Sequence, residues 1–173
     1  WIAFTGGNGL LDPRTGTFTD LETLPDIRST AVAETQNGTS WVGTQEGLFF
    51  RQAETEGYQP LRLESQPGAY LSNHVRCLYE DRTGTLWAGT LNGLYALHRY
   101  AKPFAHLGAD PHDPASLHSP IVMAVQESRD GTRWIGTLGG GLHRLDARSG
   151  RLTPVHATTR AGCNALVWAL YED

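Results

Sequence analysis

Four groups of side chains in this sequence could do chemistry. Glu34, Glu80 and Glu127 could serve as paired carboxylates in acid–base catalysis. Asp110, His112 and Asp113, with His106 and His118 nearby, are residue types that ligate metals. Tyr70, His74 and Arg76 place a phenol, an imidazole and a guanidinium within one short stretch, as a lyase or hydrolase would need. Asn8, Glu46, Asn73, Asn92, Asn164 and Trp168 add amides, a carboxylate and an indole, which with the imidazole of His118 suit the hydroxyls and faces of sugars.

Spacing argues against the first two. The three glutamates recur at one place in a repeat, and an acid–base pair has no use for a third copy, so turn or inter-sheet hydrogen bonding is their expected role. Pro111 and Pro114 interrupt the Asp/His stretch and no ligand spacing is recognisable, so neither a metal nor a cofactor is expected. Gly7-Asn8-Gly9 is too short for a dinucleotide loop and no helical pattern follows it. Cys77 and Cys163 form no disulfide framework, and Cys77 reads as a small buried apolar residue.

The elements that must position these groups are legible from a repeat. Glu34 leads to Trp41 through Gly38, Glu80 to Trp87 through Gly84, and Glu127 to Trp134 through Gly131. Each of these tryptophans opens a Trp-x-Gly-Thr tetrad, and Trp1-Ile2-Ala3-Phe4 is a degenerate copy. From Trp1 to Trp41, Trp87 and Trp134 the steps are 40, 46 and 47 residues, the length of one four-stranded propeller blade. Gly-Leu pairs at Gly9, Gly47, Gly93 and Gly141 open third strands, and the turns at 12–16 and 146–150 lead to fourth strands holding Phe18 and Leu152.

First strands are expected at 29–34, 75–80, 121–127 and 166–172. Three residues before each Glu the column is Ala31, Cys77, Ala124 and Ala169, small enough for an inner strand where blades converge on an axis. The tryptophans would fill the space between adjacent sheets. The expected fold is therefore an all-β propeller of four blade repeats, each of four antiparallel strands, in units 1–40, 41–86, 87–133 and 134–173. An open arc of that size leaves two faces uncovered. A segment of a larger ring of about seven or eight blades is ranked first, a homodimer completing one ring second, and a closed four-blade ring third.

The run at 75–94, Val-Arg-Cys-Leu-Tyr-Glu-Asp-Arg-Thr-Gly-Thr-Leu-Trp-Ala-Gly-Thr-Leu-Asn-Gly-Leu, resembles the two-component regulator propeller repeat. So do Glu127 to Asp146 and the connector Asp110 to Leu117. The resemblance implies an extracytoplasmic, periplasmic sensor region of a bacterial membrane signalling protein, a hybrid histidine kinase or diguanylate cyclase, whose ligand is an oligosaccharide or other small molecule. It implies no catalytic residue in this segment, and membrane attachment only through parts outside it.

In such a propeller the loops entering the inner strands and the loops between second and third strands share one face around the channel mouth. Asn8, Glu46, Tyr70, Asn73, His74, Asn92, His118 and Asn164 are assigned to those loops, and Arg76 and Trp168 to the variable position four residues before the Glu column. A formal charge of -4, with acids and bases interleaved, provides no basic stripe for nucleic acid. The chain opens at Trp1 with neither an initiating Met nor a leader, which reads as a piece of a longer protein.

Overall fold

The computed structural model describes residues 2–4, 7–11, 15–20, 27–52, 55, 57–64, 69–98, 105–146, 149–155 and 166–172. Short runs of alternating side chains, separated by glycine-containing turns, fold as strands. In chain order these are β1 (Ile2–Phe4), β2 (Gly7–Leu11), β3 (Phe18–Asp20), β4 (Ser29–Glu34), β5 (Ser40–Thr44), β6 (Leu48–Arg51) and β7 (Gln59–Leu61). A single helical turn, α1 (Tyr70–Asn73), precedes β8 (Val75–Glu80), β9 (Leu86–Thr90), β10 (Gly93–Leu97) and β11 (Ala105–Leu107). The last are β12 (Val122–Glu127), β13 (Arg133–Thr137), β14 (Gly141–Leu145) and β15 (Leu152–Val155).

Each sheet is an antiparallel meander of consecutive strands: β1 to β3, β4 to β7, β8 to β11, and β12 to β15. These are the blades of a propeller arc, numbered first to fourth. Contacts between blades concentrate at the first strands, where β8 lies between β4 and β12, so the blades converge there and splay outward. Between strands one and two, Gly38, Gly84 and Gly131 adopt φ of 77°, 78° and 87°, a left-handed turn that favours glycine.

Apolar burial is placed between blades. One cluster joins Trp87, Leu94 and Ala96 of the third blade to Val122, Val125 and Ile135 of the fourth. Another joins Leu48 of the second blade to Val75, Leu86, Ala88 and Tyr95 of the third, with Trp41 packed against it. A lone blade would leave both faces wet, so neighbouring blades stabilise each other.

The glycine of each tetrad has a spatial reason. A Cβ on Gly43 would lie 2.5 Å from Val75 Cγ1, one on Gly89 2.6 Å from Val122 Cγ1, and one on Gly136 2.5 Å from Val167 Cγ1. In the first two cases the first residue of the next inner strand presses a valine onto bare backbone, and in the third the segment after the fourth blade does so. The tetrad threonines close the turn from strand two to strand three: Thr44, Thr90 and Thr137 each donate Oγ1 to a carbonyl, those of Gly47, Gly93 and Gly141, at 2.9 Å.

Glu80, Glu127 and Glu172, all in the recurring glutamate column, clasp one repeat to the one before it. Glu80 Oε2 accepts the backbone N–H of Gln36 at 2.8 Å, Glu127 Oε2 that of Arg82 at 2.9 Å, and Glu172 Oε2 that of Arg129 at 2.9 Å. The residue after the Glu caps an indole: Trp87 Nε1 donates to Asp81 Oδ2 at 2.8 Å and Trp134 Nε1 to Ser128 Oγ at 2.6 Å. Asp81 is fully buried and also accepts Arg133 of the fourth blade at 2.7 Å.

Two sequence expectations need correction. Residues 166–172 are not a strand; they form one isolated bridge, Leu138 with Leu166, and a hydrogen bond from Val167 N–H to Thr137 O at 3.1 Å. The segment lies against the fourth blade as an inner strand would, but among the described residues no second strand runs beside it to complete a ladder. Asn8 lies in β2, paired with Ala3, and not in a loop, because the ladder of β1 and β2 already begins at the Phe4–Gly7 pair.

Candidate functional site

The first strands carry a local irregularity at the variable position. Pairing shifts register between Ser29 and Ala31, between Val75 and Cys77, and between Val122 and Ala124. Thr30, Arg76 and Met123 are therefore bulge residues, released from the strand alternation that fixes their neighbours. Thr30 spends its hydroxyl on Val75 O at 2.6 Å and Gly43 O at 3.1 Å. Arg76 is half-buried, and its Nε is buried without an acceptor among the described residues.

Around Arg76 the connector into the third blade folds onto itself. Asn73 is its pin: Oδ1 accepts Leu63 N–H at 2.8 Å, and Nδ2 donates to Glu64 O at 2.9 Å and Ala69 O at 3.0 Å. Its amide is thus occupied by backbone. His74 is also buried, with Nδ1 3.3 Å from the hydroxyl of Tyr70 and the two rings edge-to-face at 5.7 Å. Burial, then the charge of Arg76, lowers the His74 pKa below its ordinary 6.5, so the ring is neutral near neutral pH. His74 Nε2 is buried and meets no partner among the described residues.

Asn92, in the turn between β9 and β10, reaches across to this connector by donating Nδ2 to Ser72 Oγ at 3.0 Å. Its turn is tied to the same connector by Leu91 N–H, which donates to His74 O at 3.2 Å. The structure therefore gathers Tyr70, His74, Arg76 and Asn92 at one end of the third blade, where Tyr70 is 57% exposed and two buried nitrogens lack partners among the described residues.

The other expected site residues stand on other elements. Glu46 is exposed in the turn between β5 and β6, its N–H donating to Thr44 Oγ1 at 3.0 Å. His118 is exposed on the connector into the fourth blade, and its backbone N–H donates to His143 Nε2 at 3.2 Å. Trp168 stands 60% exposed on the segment after the fourth blade. Asn164, like Cys163, lies outside the described residues, as does the side chain of Asn8. Asp110 and Asp113 cap their own loop, accepting the N–H of His112 at 2.9 Å and of Ala115 at 2.8 Å.

Sequence reasoning missed His143. It is fully buried, edge-to-face with His118 at 4.9 Å, and burial followed by the neighbouring imidazole pushes its pKa down to about 4. A signal existed: His143 stands in the third-strand column of Phe49 and Tyr95, both buried rings. It missed Glu64 as well, which accepts the Tyr95 hydroxyl; burial and then this hydrogen bond push the phenol up to about 12.

Residues 69–92 match the family model described as "Two component regulator propeller". Over this stretch the chain is similar to one two component regulator propeller repeat. The match covers the connector, α1, β8 and β9, the segment that holds Tyr70, His74, Arg76 and Asn92. Histidine kinase P4 of Formosa agariphila is 34% identical over 79 residues, which is 43% of this chain and 6% of the kinase. Among solved structures, the extracellular domain assigned to a hybrid two component system of B. thetaiotaomicron superposes with a TM-score of 0.73 at 22% identity. That alignment covers 99% of this chain and 22% of the domain. Virginiamycin B lyase of Staphylococcus aureus superposes with a TM-score of 0.64 at 13% identity, over 90% of this chain and 50% of the lyase. The chain thus spans a small part of the kinase and of the extracellular domain. Among the described residues no helix is long and apolar enough to cross a membrane.

Proposed function

We propose that this chain is part of the extracytoplasmic, ligand-binding propeller of a bacterial membrane signalling protein, and that it binds an oligosaccharide without transforming it. The repeat match, the resemblance to a histidine kinase and the resemblance to an extracellular domain of a two component system support the signalling role. One observation carries the binding role: at the end of the third blade that holds the exposed Tyr70 and Asn92, His74 Nε2 and Arg76 Nε are buried without partners among the described residues. A buried polar atom left unpaired costs about 1–3 kcal/mol, and a ligand that supplies its partner recovers that energy. An aromatic face with nearby donors and acceptors suits a sugar, whose ring has apolar faces and whose hydroxyls both donate and accept. Signalling follows if the bound sugar orders these loops in one of two blade arrangements read by a downstream segment.

The test is calorimetry of the chain against a broad glycan panel, with Arg76→Gln and Tyr70→Ala as variants. A glycan that binds intact, and binds about tenfold or more weakly to both variants, is the expected result. Absence of heat from every glycan overturns the sensor reading. Release of fragments from a polymer would make the propeller an enzyme, with Tyr70, His74 and Arg76 as its chemistry.

A further inference from the structure

The blades are copies, so a place where one copy departs from the others shows what that copy has been altered to do. At the end opposite the connector site, the gap above Trp87 between the third and fourth blades is closed by the Asp81–Arg133 ion pair, and Asp81 caps the Trp87 indole N–H. The same two positions between the second and third blades hold Thr35 and Leu86. Thr35 turns its hydroxyl to Thr39 O at 2.9 Å and to Asn37 Oδ1, and among the described residues nothing accepts the indole N–H of Trp41. The space the ion pair would fill stays open as a cleft of about 630 Å³, against about 320 Å³ for the space beside the Asp81–Arg133 pair.

The chemistry of this cleft is specific. Trp41 is half-buried in its wall, with Leu86 and Leu97 completing an apolar surface. Gln36 and Asn37 place amides at its rim. Glu80 contributes a carboxylate whose Oε2 is held by Gln36 N–H. Arg82, the arginine among the described lining residues, is committed to the fourth blade through Glu127 Oε2 at 3.3 Å, Arg129 O at 2.9 Å and Ser128 O. An anion would therefore meet the Glu80 carboxylate, while among the described lining residues Arg82 is already engaged and the His98 imidazole is tied through Nδ1 to Thr85 Oγ1 at 3.1 Å. A ligand with an apolar face, a hydroxyl to accept from an indole N–H and hydroxyls to donate to a carboxylate fits instead.

We propose that the cleft between the second and third blades binds a neutral sugar residue seated on Trp41, a second site on the face opposite the connector cluster. The choice of ligand class rests on the carbohydrate reading above; the location does not.

The test titrates the full chain with cellobiose, laminaribiose and mannobiose, with digalacturonate as the acidic control, and follows the indole N–H resonances of Trp41, Trp87 and Trp134. At least one neutral disaccharide is expected to shift Trp41 while Trp87 and Trp134 stay in place, and digalacturonate to shift none of them. Thr35→Asp with Leu86→Arg grafts the plug of the next gap and should abolish the shift and weaken binding about tenfold or more. Should the graft fail to fold, Thr35→Asp alone, which offers the indole an internal acceptor, serves in its place. Trp41 unmoved by every neutral disaccharide, or moved equally in the plugged variant, overturns this site. If Trp41 is still while calorimetry detects a sugar whose binding is lost in Arg76→Gln, the connector reading survives and this one does not.

Discussion

Individual residues in this arc serve as couplings between blades more than as members of their own sheet. Glu127 illustrates it: the carboxylate is buried, takes Arg82 N–H and lies 3.3 Å from Arg82 Nε. The ion pair adds little because the arginine side chain is 57% exposed, so the backbone hydrogen bond is the larger part. Glu127→Ala should cost about 1–3 kcal/mol in urea unfolding, and Glu127→Gln clearly less, since an amide oxygen still accepts. The same scale sets the acid response. An unfolded histidine protonates near its ordinary 6.5 while buried His143 resists until about 4, so the unfolded state binds the extra proton and stability falls as pH drops through that window. The loss is on the order of 3 kcal/mol. His143→Gln, which keeps an acceptor for His118 N–H, should flatten urea midpoints over that range. A further decline belongs to Asp81: burial raises its pKa, but hydrogen bonds from Thr83, Trp87 and Thr85 and the charge of Arg133 outweigh it, holding the pKa below 3.8. That contribution is present above the ordinary carboxylate pKa and is lost as pH falls through the depressed one.

Elements obey rules set by the neighbouring blade. The tetrad glycine looks like a turn residue in sequence, yet Gly43, Gly89 and Gly136 lie inside β5, β9 and β13 and are glycine because a valine from the next blade occupies the Cβ position. Gly89→Ala would place its methyl 2.5 Å from Cys77 Sγ as well as 2.6 Å from Val122 Cγ1, so about 1–3 kcal/mol of destabilisation is expected in thermal or urea unfolding. Val122→Ala in the same chain should recover part of it, since the two changes share one space. The degenerate first tetrad follows this logic: Ala3 replaces glycine, and the residue five before the next Glu is Ser29, where the other blades have valine at 75, 122 and 167. A larger tetrad residue is matched by a smaller partner position. The bulges at Thr30, Arg76 and Met123 are the other shared device, freeing one side chain per inner strand to vary.

At the scale of the whole molecule, stability is distributed by neighbours. Every residue of β9 and β10 is buried, with apolar clusters on both sides of the third blade, whereas the outer strands β7 and β11 are largely exposed. A stack of blades behaves as a one-dimensional array in which a unit flanked on both sides opens last. Hydrogen exchange should therefore be slowest in β9 and β10, faster in β13, and fastest in residues 166–172, which lack a ladder. Equal protection in β9 and residues 166–172 would mean that the blades do not stabilise one another in this way.

The repeat, the order of strands, the inner position of the small column and the tryptophans between sheets were all legible in the sequence. They follow from local periodicity and turn residues, which act over a few positions and recur. Which polar groups remain available was not legible. Asn73 and His74 are adjacent and look alike as binding residues, yet the amide is spent on Leu63, Glu64 and Ala69 while the imidazole keeps a nitrogen without a partner among the described residues. Likewise Trp41 and Trp87 occupy equivalent places in the repeat, and only the pairing of Asp81 with Arg133, 52 positions apart in the chain, closes one gap and leaves the other open. Hydrogen-bond satisfaction and empty space are properties of residues that meet across blades, and the tertiary structure decides which residues meet.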